Sequence, residues 1–120
     1  MPRFILKTAT DSDLYVEWST VVDNLVAVGD REWFISEGND PERLDRADKT
    51  GTSCKGFERE GDGYAFGAYD DNGFILHNME TRQGFRWLPR KNLHAYAEAV
   101  MRGDMDVAEG DEITEPCDDD

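Results

Sequence analysis

Apolar and polar positions divide the chain into short segments separated by turn residues. Residues 3–7, RFILK, are a brief apolar run that predicts a first strand. In DLYVEWSTVV, Leu14, Val16 and Trp18 alternate with Tyr15, Glu17 and Ser19, the period-two pattern of a strand with one buried face. Asp23-Asn24 separates it from LVAV, and two polar residues between such runs predict a tight hairpin. Asp30 is placed to cap a short helix over REWFISE, with Trp33 and Phe34 turned to the core. Asp40, Pro41 and Gly51 bracket a second helix whose apolar stripe is only Leu44 and Ala47.

The second half reads as another antiparallel region. YAFGAY and FILH flank Asp70-Asp71-Asn72-Gly73, and Asn-Gly predicts a type I′ hairpin with Gly73 at positive φ. FRWL is the next strand, after a turn around Gln83-Gly84, and Pro89 stops it. In KNLHAYAEAVMR, Leu93, Ala97, Val100 and Met101 recur at helical spacing, and Gly103 ends the helix. These elements predict an α+β fold: an antiparallel sheet of about six strands built from hairpins, two short helices in the middle and one C-terminal helix. A small half-open barrel with the helices as plugs is the alternative. Trp18, Phe34, Phe74 and Leu93 are the expected core.

Length sets the expected domain count at one, and 38% hydrophobic residues with 11% aromatics supply a core. There is no apolar run of membrane-spanning length, and the opening MPRFILKTATDSD lacks a signal-peptide core, so a cytoplasmic protein is expected. Cys54 and Cys117 form no CxxC pair, and no disulfide is expected between them in that compartment.

Charge changes the picture most. The formal net charge is −14. From Gly103 to Asp120 there are nine acids and no base, whereas the other 102 residues hold 18 acids and all 13 bases, a net of −5. The excess is therefore a tail, read as a mobile segment 104–120 following a domain at 1–103. Against it stands TRQGFRWLPRKNLHAY, residues 81–96, with Arg82, Arg86, Arg90 and Lys91 and no carboxylate. The tail is expected to fold loosely over this basic, aromatic island.

Catalytic chemistry finds little support. His77 and His94 have no Ser, Thr or Cys beside them in sequence to make a nucleophile–base pair, so the chain reads as a non-enzyme. A calcium loop aligned on Gly73 puts Ala68 and Met79 at two ligand positions, which excludes it. The glycine-rich GTSCKG and GDGYAFG do not join a strand to a helix as a phosphate loop requires. No metal or cofactor is implied.

The island carries the binding reading. On a strand, Phe85 and Trp87 share one face and Arg86 takes the other. With the aromatics in the core, Arg82, Arg86 and Arg90 line a solvent face. The candidate binding residues are thus Arg82, Arg86, Arg90, Lys91 and Trp87, joined by Tyr64, Phe66 or Tyr69. The plainer alternative has the arginines paired with nearby carboxylates. The expected partner is a protein, because a −14 chain repels the phosphates of nucleic acid. A nucleotide or phosphorylated small-molecule domain, and an acidic DNA mimic, are the alternatives.

DLYVEWSTVVDNLVAVGDREW (13–33) and PERLDRADKTGTS (41–53) resemble small acidic proteins of actinobacterial and actinophage type, to which no function attaches. Nine Arg against four Lys agree with a GC-rich coding genome. The resemblance implies a small accessory or phage-encoded protein that works by binding a host protein.

Overall fold

A computed structural model describes residues 3–20, 22–54, 57–59, 62–64, 67–69, 71–77, 85–108 and 110–116, with the backbone course alone for 57–59 and 62–64. In chain order its elements are β1 (Arg3–Lys7), β2 (Tyr15–Ser19), β3 (Asn24–Gly29), α1 (Arg31–Ser36), α2 (Pro41–Thr50), β4 (Phe57–Arg59), β5 (Asp62–Tyr64), β6 (Gly73–His77), β7 (Phe85–Pro89), α3 (Leu93–Met101), α4 (Met105–Ala108) and β8 (Glu115–Pro116). The fold is α+β with antiparallel sheets, as the pattern predicts. The strands do not form one sheet, however. Six of them make two three-stranded sheets, β1-β2-β3 and β6-β7-β8, and β4 and β5 pair as a separate ribbon.

The first sheet is the middle layer. Its alternation places Leu6, Val16 and Trp18 in a core shared with Phe74, Leu76 and Leu88 of the second sheet and Leu93 and Tyr96 of α3. Ile5 and Tyr15 point the other way, against Phe34 of α1 and Leu44 and Ala47 of α2. The strand pattern therefore has the right phase, but its second face is covered by helices instead of water. Trp18, Phe34, Phe74 and Leu93 are all buried. The helix ends follow their residues: Asp30 accepts from the Trp33 amide at 2.7 Å, Asp40 accepts from Glu42 at 3.0 Å, and Gly51 ends α2 at φ 95°. Trp33 is 40% and Met101 57% exposed, against expectation, while Tyr96 fills the place in the α3 core face.

Three other expectations are corrected. Asn72-Gly73 is not a type I′ hairpin. Gly73 does have a positive φ, 158°, but among the described residues Asp23 is the non-glycine with one, so Asn72 lacks the positive φ that a type I′ turn needs at both central positions. Gly73 instead opens β6 opposite Pro89, so the strand after the Asn-Gly pair finds its partner in β7. A β-carbon there would press into the Leu88 carbonyl and stand 2.9 Å from both Pro89 Cα and the Trp87 ring. Gly73→Val is expected to cost about 1–3 kcal/mol by overpacking, and the exposed Asn72→Ser less than about 0.5. Equal unfolding midpoints in urea for the two variants would remove the close strand approach at Gly73.

The phase of β7 is reversed. Phe74, Leu76 and Leu88 face the core, while Ile75 and Phe85 are 49% and 51% exposed. Each of Phe85, Trp87 and Leu88 is apolar, so alternation alone does not choose the buried face.

The domain also does not end at 103. Residues 104–108 and 110–116 turn back as α4, a turn and β8, which pairs Arg86 with Pro116 and Trp87 with Glu115. Ala108, Ile113 and Thr114 are buried, the first two within the main core. Apolar and small residues spaced among the acids supply this anchor, and the acids stay outside.

Candidate functional site

The expected binding residues part company in the fold. Arg82, Phe66 and the Gln83-Gly84 turn lie outside the described residues, as does Cys117. Tyr64 stands on β5 opposite Phe57, away in sequence and pairing from the second sheet. Tyr69, Trp87, Arg90 and Lys91 do come together, on the walls of a 680 Å3 cleft between the 8–10 loop, the end of β7 with residues 90–92, and the strap 111–115.

Arg90 is nonetheless no surface cation. It is 4% exposed. Its Nε donates to the Gly67 carbonyl at 2.8 Å, and its terminal nitrogens donate to the carbonyls of Lys7 at 2.6 Å and of Thr8 and Gly51 at 3.3 Å. The Tyr69 ring lies 5.4 Å from the guanidinium carbon. Burial pushes its pKa down to about 10, with partial relief from Tyr69 and Asp71, and it stays charged at neutral pH. One guanidinium thus ties the end of β1 to the end of α2 and to the 67–69 turn.

Arg86 is also occupied. It donates to Thr114 Oγ1 and to Asp111, each at 2.6 Å. The tail does meet the island here, through a folded strap and not through a loose cover. Among the described residues, Lys91 remains as the exposed cation of the cleft, whose walls also carry Asp71, Asp111, Glu112 and Glu115. A phosphate entering it would meet more carboxylates than free cations.

Two further constellations escape sequence reasoning. Thr8 Oγ1 lies 2.8 Å from His94 Nδ1, and His94 Nε2 lies 3.2 Å from Glu98. This has the order of a nucleophile–base–acid triad. But Thr8 is 3% exposed, and its hydroxyl also lies 2.8 Å from the Leu14 carbonyl, which can only accept. The Thr8 proton belongs to that carbonyl, so His94 Nδ1 is the donor to Thr8 and the group clasps the 8–14 loop to α3. Only the i,i+4 spacing of His94 and Glu98 was visible in the sequence.

The second is centred on Asp48. The Tyr15 hydroxyl donates to it, Lys7 Nζ is 3.0 Å away and Arg31 3.1 Å, with Arg31 also 2.7 Å from Asp45. Burial alone would raise the Asp48 pKa, but the Tyr15 and Lys7 hydrogen bonds and the charges of Lys7 and Arg31 outweigh it and hold it below the usual range. Burial and Asp48 together push the Tyr15 hydroxyl well above its ordinary value. The cluster fastens α1 and α2 to the first sheet.

The outward face of β6 and β7 is different in kind. Ile75 opposes Trp87 and His77 opposes Phe85, so two adjacent cross-strand pairs share one face. The His77 and Phe85 rings stack at 4.5 Å. The His77 amide donates to Asp23 at 2.8 Å, which joins this face to the β2–β3 turn. Among the described residues, no helix is long and apolar enough to cross a membrane. Comparison with family models, curated proteins and solved structures finds no match to the chain.

Proposed function

We propose that this chain is a cytoplasmic, non-enzymatic binding protein that docks a partner protein on the outer face of β6 and β7. The accessory or phage-encoded role implied by the resemblance fits that reading. The observation that carries it is the contiguous row Ile75, Trp87, Phe85 and His77, in which Ile75 and Phe85 are exposed and Trp87 and His77 half-buried. Two large apolar side chains, each about half exposed, sit beside a half-buried tryptophan on one sheet face of a chain with net charge −14. Aromatic residues on a rigid sheet lose little freedom when covered, and such residues dominate interface energies. The docking centre thus moves from the arginines of the island to its aromatics.

The double variant Ile75→Asp, Phe85→Asp tests this. Both side chains are about half exposed and lie outside the core, so the fold should survive with a loss of about 1–2 kcal/mol from the Phe85–His77 stack and the cross-strand pairs. Proteins retained by the immobilised wild type from host lysate should be lost from the variant. A partner held equally by both would exclude this face.

A second reading, the acidic DNA mimic, gains from one observation: Asp104, Asp106, Asp111, Glu112 and Glu115 lie on folded chain. A mimic needs charge in a fixed register. Its partner would survive the Asp substitutions and elute with salt.

A further inference from the structure

The arginines that the fold gathers at a cavity are not those of the island. Arg43 and Arg46 stand one turn apart on α2 and share a face. Arg3 begins β1 beneath them, and Ser53 and Cys54 leave α2 along the same strand, with the Ser53 amide donating to Ile5 at 2.8 Å. These five residues, with Phe4 and Glu17, enclose a cleft of 520 Å3. Among the described residues it holds three guanidinium groups against one carboxylate, in a chain with 27 acids and 13 bases.

The arginines are positioned but not used up. Arg46 Nε donates to the Ser53 carbonyl at 3.2 Å, which orients its plane and leaves both terminal nitrogens with no acceptor among the described residues. Arg43 is braced by Asn39 at 2.9 Å and by the Arg3 carbonyl at 3.2 Å, and Glu17 is 4.0 Å away, at the limit of an ion pair. The Arg3 guanidinium has no hydrogen bond or ion pair among the described residues. Three like charges around one space repel each other, and a multiply charged oxyanion between them relieves that repulsion. Guanidinium forks match phosphoryl oxygens in a way that point charges do not.

We propose that this cleft binds the phosphoryl group of a small phosphomonoester. The space exceeds what a bare phosphate fills and lies in the range of small-ligand sites. A nucleic-acid strand is disfavoured, since a long polyanion running out of the cleft would meet the acidic body. The site is separate from the outer face of β6 and β7, so it stands or falls independently of partner docking.

Cys54 lies on the wall and is 9% exposed, so a reagent reaches it through the cleft opening. The full chain carrying Cys117→Ser would be titrated with inorganic phosphate and with glycerol 3-phosphate. Binding would be followed by calorimetry and by the rate at which a thiol reagent modifies Cys54. Saturable binding is expected, tighter for the ester, with Cys54 modification slowed severalfold at saturation. Arg46→Gln and Arg3→Gln should each weaken binding about tenfold. Arg3→Gln removes no side-chain hydrogen bond among the described residues, so its unfolding midpoint should match that of the parent and a loss of binding is then a loss of the site. Equal affinity for phosphate and ester would overturn the ester assignment. Failure of either compound to bind at millimolar concentration, or binding unaffected by both substitutions, would overturn the site.

Discussion

Arg90→Ala is expected to lower the unfolding free energy by about 3–5 kcal/mol, measured by denaturant titration, because it strands buried acceptors on two separate segments and weakens the tie to a third. The carbonyls of Lys7, Thr8 and Gly67 would lose a charged donor. Gly51 keeps a second donor, the Lys7 amide at 3.0 Å, and is hurt less. The Tyr69 ring would also lose the group it packs against. Arg90→Lys keeps the charge but places one compact ammonium where a planar fork reached four carbonyls, so it should recover less than half of the loss. A loss below about 1 kcal/mol for the alanine variant is the signature of an exposed cation. It would return Arg90 to the anion-binding role that its neighbours in sequence imply.

Truncation after Gly103 is expected to cost at least about 3 kcal/mol, despite removing nine negative charges. Two effects oppose each other. Taking the net charge from −14 to −5 relieves self-repulsion, which among exposed charges is weak and screened by salt. Against it stand the buried Ile113 and Ala108, the β8 pairing, and the Arg86 side chain left without Asp111 and Thr114. One buried isoleucine alone is worth about 2–5 kcal/mol on truncation to alanine, so packing wins. The loss should persist at high salt, where the charge term is damped. An unchanged midpoint for the truncated chain would mean that 104–116 contributes only solubility.

What the sequence determined by itself was local. Caps, helix stops and strand phase in β2 depend on residues within a few positions of each other, so Asp30, Asp40, Gly51 and the Leu14-Val16-Trp18 alternation were legible. The convergence of Tyr69, Trp87, Arg90 and Lys91 on one cleft was partly legible, because three of them lie within five residues of each other. What only the tertiary structure decided was which side of each segment is covered and which charges are left over. Gly73 was read as a turn because Asn-Gly is a strong local signal, but the pairing of β6 with β7 overrode it. The tail was read as solvated because acids dominate its composition, yet Ala108, Ile113 and Thr114 are enough to anchor it. The island and the Arg3–Arg43–Arg46 cleft show the same reversal. A cation is free or spent according to the acceptors that the fold brings to it. Arg90 meets carbonyls up to 83 residues away, and Arg3 meets its companions across 40. No window along the chain contains that information, because hydrogen bonding and Coulomb attraction act through space and not along sequence.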